Sequence, residues 1–143
     1  MRASRQTPVT LFVDTSGWAA PVLRNTPNYE EMATFAQRVA SSARPLVTTN
    51  YVLTEVVALL TSRSRLTRPM MLQFLQQIRQ TVYVVHIDRQ ADLEAWTLLD
   101  QYADKNWSLV DAVSFVVMRQ LGLQEAFTSD QHFVQAGFAR VPS

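Results

Sequence analysis

The stretch "PLVTTNYVLTEVVALL", Pro45 to Leu60, joins two different apolar patterns within one short run. Its opening, Pro45 to Thr48, is a continuous apolar segment of strand length, whereas Tyr51 to Arg63 ("YVLTEVVALLTSR") carries apolar residues at the spacing of a helix. Three more runs read like the first: "VTLFV" (Val9 to Val13), "VYVVHI" (Val82 to Ile87) and, more weakly, "EAFT" (Glu125 to Thr128). None alternates polar with apolar residues. Continuous apolar strands belong to sheets covered on both faces, which are usually parallel. The segments between them read as helices: Asn28 to Ser41, Pro69 to Gln80, Gln90 to Ala103 and Leu109 to Leu121. Asn28 with Glu31 three residues later suggests a capping box, Thr67 and Pro69 open the second arm of a helical hairpin, and Gly122 closes the last helix. Strands alternating with helices define an α/β chain.

With 143 residues, 48% hydrophobic and 17% charged, the chain fits one folded domain, 1–143, with 1–8 expected as a flexible leader. There is no repeat, linker or low-complexity tract. A net charge of +1 excludes polyanion binding by bulk charge, so a nucleic-acid partner would need a local arrangement. Lys105 is the sole lysine among arginines, a bias that genomic base composition readily produces. The absence of cysteine removes disulfides, thiolate metal sites and thiol nucleophiles, and two histidines make a His-rich zinc site improbable. The apolar run after "MRASRQTP" is too short for a signal-peptide core or a membrane span, so the expectation is a cytoplasmic protein without membrane association.

In a parallel sheet, ligands sit beyond the carboxyl ends of the strands. Asp14 follows the first strand in "FVDTSGW", and Asp130 follows the fourth in "AFTSDQHF". Each also fits a turn or helix-cap aspartate, Asp130 as the cap of a short helix Gln131 to Ala136. Glu55 shares a helical face with Val52, Val56 and Leu59, which turns its carboxylate inward, toward either a functional site or a buried arginine.

The fourth acid, Asp111, is the only charged residue in "SLVDAVSFVVM", Ser108 to Met118. A helix so apolar is buried, and an ionised carboxylate inside it must be paired, hydrogen-bonded or given a cation. The Ser108-x-x-Asp111 spacing fits a capping box, which would place Asp111 in a first helical turn. Jointly, one acid at a strand end, one on the apolar face of a helix, one in a first helical turn and a fourth at a further strand end can converge on one edge of the sheet. There they would repel one another unless a cation offset them, and oxygen ligands without Cys or His suit Mg²⁺ or Mn²⁺. Such an ion supports phosphodiester hydrolysis.

These residues, their order and their neighbours resemble the PIN-domain nucleases and, within them, the VapC-type ribonuclease toxins of bacterial toxin–antitoxin pairs. The matching stretches are "FVDTSGW", "TTNYVLTEVVALL" and "DKNWSLVDAVSFVVMRQLGLQEAFTSDQHFVQAGF", so the similarity spans nearly the whole chain. The family's acidic quartet falls on Asp14, Glu55, Asp111 and Asp130, the four reached above. Thr15, Ser16 and Thr128 match polar positions near the family's metal site. The resemblance implies an α/β/α sandwich with a central parallel sheet of four or more strands. It also implies Mg²⁺ or Mn²⁺ dependence, endonuclease action on RNA, a homodimer and inhibition by a small antitoxin protein.

Other features carry less. Arg63, Arg65 and Arg68 in the hairpin turn, and Lys105 beside Asp104, are candidate phosphate contacts, though a hydrated turn or loop is the favoured reading of each. Asp88 reads as a helix cap, and His86 and His132 read as packing or surface residues. Trp18, Trp96 and Trp107 read as core or interface. A phosphoacceptor signalling domain would want an acid pair after the first strand and a late lysine, and a HAD-like phosphatase would want an aspartate where Ser16 stands. A PIN fold acting only as a binding module is the remaining alternative.

Overall fold

The computed structural model describes residues 9–143, and the expected leader, 1–8, lies outside the described residues. The elements follow in chain order: β1 (Leu11–Val13), α1 (Thr15–Ala19), α2 (Tyr29–Ala40), β2 (Leu46–Thr49), α3 (Asn50–Arg63), α4 (Arg68–Thr81), β3 (Tyr83–Val85), α5 (Arg89–Gln101), α6 (Leu109–Leu121), β4 (Glu125–Phe127), α7 (Gln131–Gln135) and β5 (Ala139–Val141). All five strands pair in parallel, in the order β3-β2-β1-β4-β5. The fifth strand extends the expected sheet. Its sequence "ARV" is short, edge-placed and only partly buried, so it offers little hydrophobic signal.

Strand β1 explains why its sequence does not alternate. Successive side chains leave a strand on opposite faces. Phe12 enters the larger core with α3, α5, α6 and α7, while Leu11 and Val13 enter a smaller one with Met32 and Val39 of α2. Both faces are therefore apolar, and all three residues are buried. Phe127 and Ala126 divide the same way on β4. The result is helix, sheet and helix in three layers.

Helix α6 is buried over every residue from Asp111 to Met118 because it runs inside the larger core, packed on α5 and α3. Phe115 meets Trp107, Phe133 and Phe138 at ring separations of 5.0, 5.0 and 5.7 Å. Phe133, itself fully buried, fixes short α7 against this aromatic group.

Several expected starts and stops are present. Thr67 accepts the Met70 N–H at 3.3 Å, Asp88 accepts the Ala91 N–H at 2.8 Å, and Gly122 closes α6 at φ 67°. The expectation at Asn28 does not hold: its side chain makes no cap bond, and its backbone is left-handed, at φ 64°. Asparagine tolerates that region better than most residues, so Asn28 serves a turn into α2 instead of a capping box.

Candidate active site

The strand order reverses at β1, with β2 and β3 on one side and β4 and β5 on the other. The crevice beyond the ends of β1 and β4 is therefore the topological switch point, where open parallel sheets bind ligands. Asp14 leaves β1 there, and Thr128 to Asp130 leave β4.

Asp14 stands at the N-cap of α1 but makes no side-chain cap bond, so the helix-cap reading of this residue fails. Its backbone N–H donates to the Phe127 carbonyl at 3.1 Å, and its Oδ2 accepts the Thr128 hydroxyl at 3.0 Å. Its Oδ1 is buried and has no hydrogen-bond partner among the described residues. Burial pushes the Asp14 carboxyl up from 3.8 to about 7, with the charges of Asp111 and then Glu55 adding to the rise. The Thr15 backbone N–H and the Thr128 hydroxyl pull the other way.

Thr128 has a single proton and gives it to Asp14, so it must accept from its other neighbours. It takes the Asp130 N–H at 3.0 Å and the Ser16 hydroxyl at 3.2 Å, while Ser16 in turn accepts the Ser129 N–H at 2.9 Å. This polarised chain ties α1 to the turn after β4. Gly17 permits the approach: a Cβ there would lie 2.5 Å from the Phe127 carbonyl oxygen and 2.9 Å from Val13 Cγ1.

Glu55 lies beside the buried stripe Val52, Val56 and Leu60, not within it, and is half-buried at the rim. The reading that grouped it with Leu59 and turned it fully inward is corrected by one helical position. Its Oε1 accepts the Thr15 hydroxyl, and it has no ion pair among the described residues. The buried-arginine reading finds no partner there.

Asp111 answers to two descriptions at once. The capping box is complete: Asp111 N–H donates to Ser108 Oγ at 3.0 Å, and Asp111 Oδ2 accepts the Ser108 N–H at 2.9 Å. The same Oδ2 lies 2.8 Å from His132 Nδ1. Protein donors thus already hold Asp111 in its apolar helix. Asp130 caps α7, its Oδ1 accepting the His132 N–H at 2.9 Å and standing 3.3 Å from His132 Nδ1.

A common pattern emerges. In each of the four acids one oxygen is engaged by a protein donor, and the other receives no hydrogen bond from the described residues. Asp111, Asp130 and His132 bring ligand atoms within 4.8 Å of one another, a group that can hold a metal ion. An orphaned buried oxygen beside like charges fits a cation, which would satisfy the oxygen and offset the neighbouring charges together.

His132, which reads from the sequence as packing or surface, stands against two of the acids. The available signal was its place two residues after Asp130. Other candidates stand apart. Arg63, Arg65 and Arg68 are exposed around the end of α3, roughly 12 Å beyond Glu55 for Arg63 at 1.5 Å per residue. Lys105 lies 3.4 Å from Asp104 on an exposed loop, and His86 is exposed. Trp107 is buried and bonded to Gln135, and Trp18 donates to Thr48, but Trp96 is 50% exposed and not in the core.

The fold and the acidic edge define a class, and the PIN domain family model matches residues 11–139. The chain belongs to the PIN-domain family. It is similar to the 23S rRNA-specific endonuclease VapC20 of Mycobacterium tuberculosis, with 36% identity over 132 residues, covering 92% of this chain and 97% of that protein. The crystal structure of VapC20, a sarcin–ricin loop cleaving toxin, superposes with a TM-score of 0.76 at 33% identity, covering 90% of this chain and 96% of that one. FitAcB from Neisseria gonorrhoeae, at 17% identity and a TM-score of 0.61 over 91% of this chain and 95% of that one, shares the fold. No helix among the described residues is long and apolar enough to cross a membrane.

Proposed function

We propose that this protein is a metal-dependent endoribonuclease and the toxin of a toxin–antitoxin pair. Asp14, Glu55, Asp111 and Asp130 would hold Mg²⁺ or Mn²⁺ in this reading. The observation that carries it is Asp14, buried beside two further acids with Oδ1 unpartnered. When bound, the ion supplies Lewis-acid stabilisation of the phosphate and makes water more acidic. The chain's own part is preorganisation: Thr128 orients Asp14, Thr15 orients Glu55, and Ser16 holds the turn that carries Thr128 and Asp130. Likeness to VapC20 supports ribosomal RNA as the first substrate to try. Arg63, Arg65, Arg68 and Lys105 are the basic residues assigned to phosphates away from the cleaved bond. A cytoplasmic homodimer held in check by a small antitoxin completes the reading.

The test is cleavage of 23S rRNA by the purified protein with Mg²⁺ or Mn²⁺, compared with the same reaction in EDTA. Loss of cleavage in EDTA is expected. Undiminished cleavage in excess chelator would overturn the metal-dependent mechanism.

A further inference from the structure

The donors that engage the four acids are backbone N–H groups and hydroxyls at every position except one, where the donor is the His132 ring. The imidazole is partly buried, with 26% of its side-chain surface exposed, and lies between Asp111 and Asp130. It is well anchored: its backbone N–H is bonded to Asp130, and the next residue, Phe133, is fully buried in the aromatic core. A carboxylate only accepts, so at 2.8 Å from Asp111 Oδ2 the Nδ1 atom must carry the proton, in the neutral ring as well as the cationic one. Asp111 Oδ2 then takes two donors, the Ser108 N–H and the His132 Nδ1–H. That leaves Oδ1 as its unengaged oxygen.

We propose that His132 is a positioning residue that locks the Asp111 carboxylate from outside the metal shell, fixing which oxygen faces the cation and setting the Asp111–Asp130 spacing. The inference rests on the nuclease reading above for its consequence in catalysis, and on geometry alone for its effect on metal binding. His132 belongs among the atoms near the cation without being a ligand. A hard divalent ion selects carboxylate and water oxygens, and the imidazole is already committed as a donor to one of those carboxylates.

The experiment uses the full chain and has two arms. In the first, Mn²⁺ affinity is measured by calorimetry and rRNA cleavage by initial rates, for wild type, His132→Leu, His132→Asn and His132→Gln. Asparagine places an amide nitrogen at the same bond position as Nδ1, whereas glutamine places it one bond further out. His132→Leu should lose roughly 10- to 100-fold in affinity and in kcat/KM, the usual range for an outer-shell partner of a metal ligand. His132→Asn should recover most of that loss and His132→Gln should not. If His132→Leu fails to fold, the asparagine and glutamine variants alone decide.

In the second arm, long-range ¹H–¹⁵N spectra of the wild type report the ring tautomer with and without saturating Mg²⁺. Nδ1 protonated in both conditions is the expected result. Loss of the Nδ1 proton on adding Mg²⁺ would make His132 a ligand and overturn the proposal, as would wild-type Mn²⁺ affinity in His132→Leu or equal behaviour of the asparagine and glutamine variants. Normal Mn²⁺ binding by a wild type that cleaves no RNA would instead sink the nuclease reading, leaving the His132 result to stand on affinity and tautomer.

Discussion

Replacing Asp14 with asparagine should stabilise the metal-free protein, and by an amount that grows with pH. Asp14 is 5% exposed, and its carboxyl is pushed from 3.8 up to about 7. Between those values the native state holds a proton that the unfolded chain has released, so wild-type stability falls as pH rises through this window. At 1.36 kcal/mol per pH unit the accumulated loss is about 4 kcal/mol above pH 7. Below pH 3.8 both states are protonated and the loss vanishes. The asparagine would carry no charge and could still accept the Thr128 hydroxyl. Its amide N–H would occupy the place of the unpartnered Oδ1, offsetting about 1–3 kcal/mol as an unsatisfied buried donor. The net gain at pH 8 in EDTA is therefore about 1–3 kcal/mol, or about 3–12 °C in Tm for a chain of this size. At pH 5 the gain should shrink toward zero or reverse. Melting curves of both proteins at pH 5, 6, 7 and 8 in EDTA measure it directly. Excess Mg²⁺ or Mn²⁺ should invert the order, since an ion at 100 times its Kd adds about 2.7 kcal/mol to the form that binds it. A pH-independent difference, or a less stable variant at pH 8 in EDTA, would refute the account of a buried, charge-crowded carboxylate.

Further substitutions probe the other acids and the turn that gathers them. Glu55→Gln should melt within about 1 kcal/mol of wild type, because no cation among the described residues would be stranded, yet lose most metal-dependent cleavage; a large drop in Tm with activity kept would remove Glu55 from the site. Asp111→Ala should lose roughly 1–3 kcal/mol even in EDTA, since the carboxylate's half of the capping box and the His132 bond go, while Asp111→Asn, whose carbonyl still accepts, should lose less in a denaturant titration. Gly17→Ala should cost about 1–3 kcal/mol despite alanine's better helix propensity, because the methyl group meets the Phe127 carbonyl oxygen at 2.5 Å; an unchanged Tm would show that α1 can shift without strain.

The parallel, doubly covered sheet was legible because strands buried on both faces cannot alternate, and the run at β1 does not. The caps at Thr67, Asp88 and Gly122 were legible because their signals are local. What escaped was set by partners distant in the chain. Strand β5 has almost no hydrophobic signal of its own and exists because β4 offers it an edge. Helix α1 has five residues and is held by the Ser16–Thr128 bond across the molecule. Asn28 matched a capping pattern, but whether a side chain caps or its backbone turns left depends on the path of the preceding loop. The four acids could be placed at strand ends, in a first helical turn and on a helical face, whereas the division of each carboxylate into a held and an unheld oxygen depends on donors that no spacing rule reveals. His132 went unnoticed for the same reason: its contact with Asp111 spans 21 positions and follows no period.

The central place of β1 has a consequence for how the molecule comes into being. Its neighbour β4 is made more than a hundred residues later, and the Asp14–Thr128 bond spans 114 positions. A nascent chain that stops anywhere before Phe127 exposes one edge of β1, lacks Asp130 and His132, and leaves Asp14 without its hydroxyl partner. The acidic edge is thus completed only once β4 and Asp130 have been made, so a chain that stops before them lacks part of it. Contacts so far apart in sequence form late and slowly. For an endoribonuclease, that delay would put an interval between the first residues and the first cut.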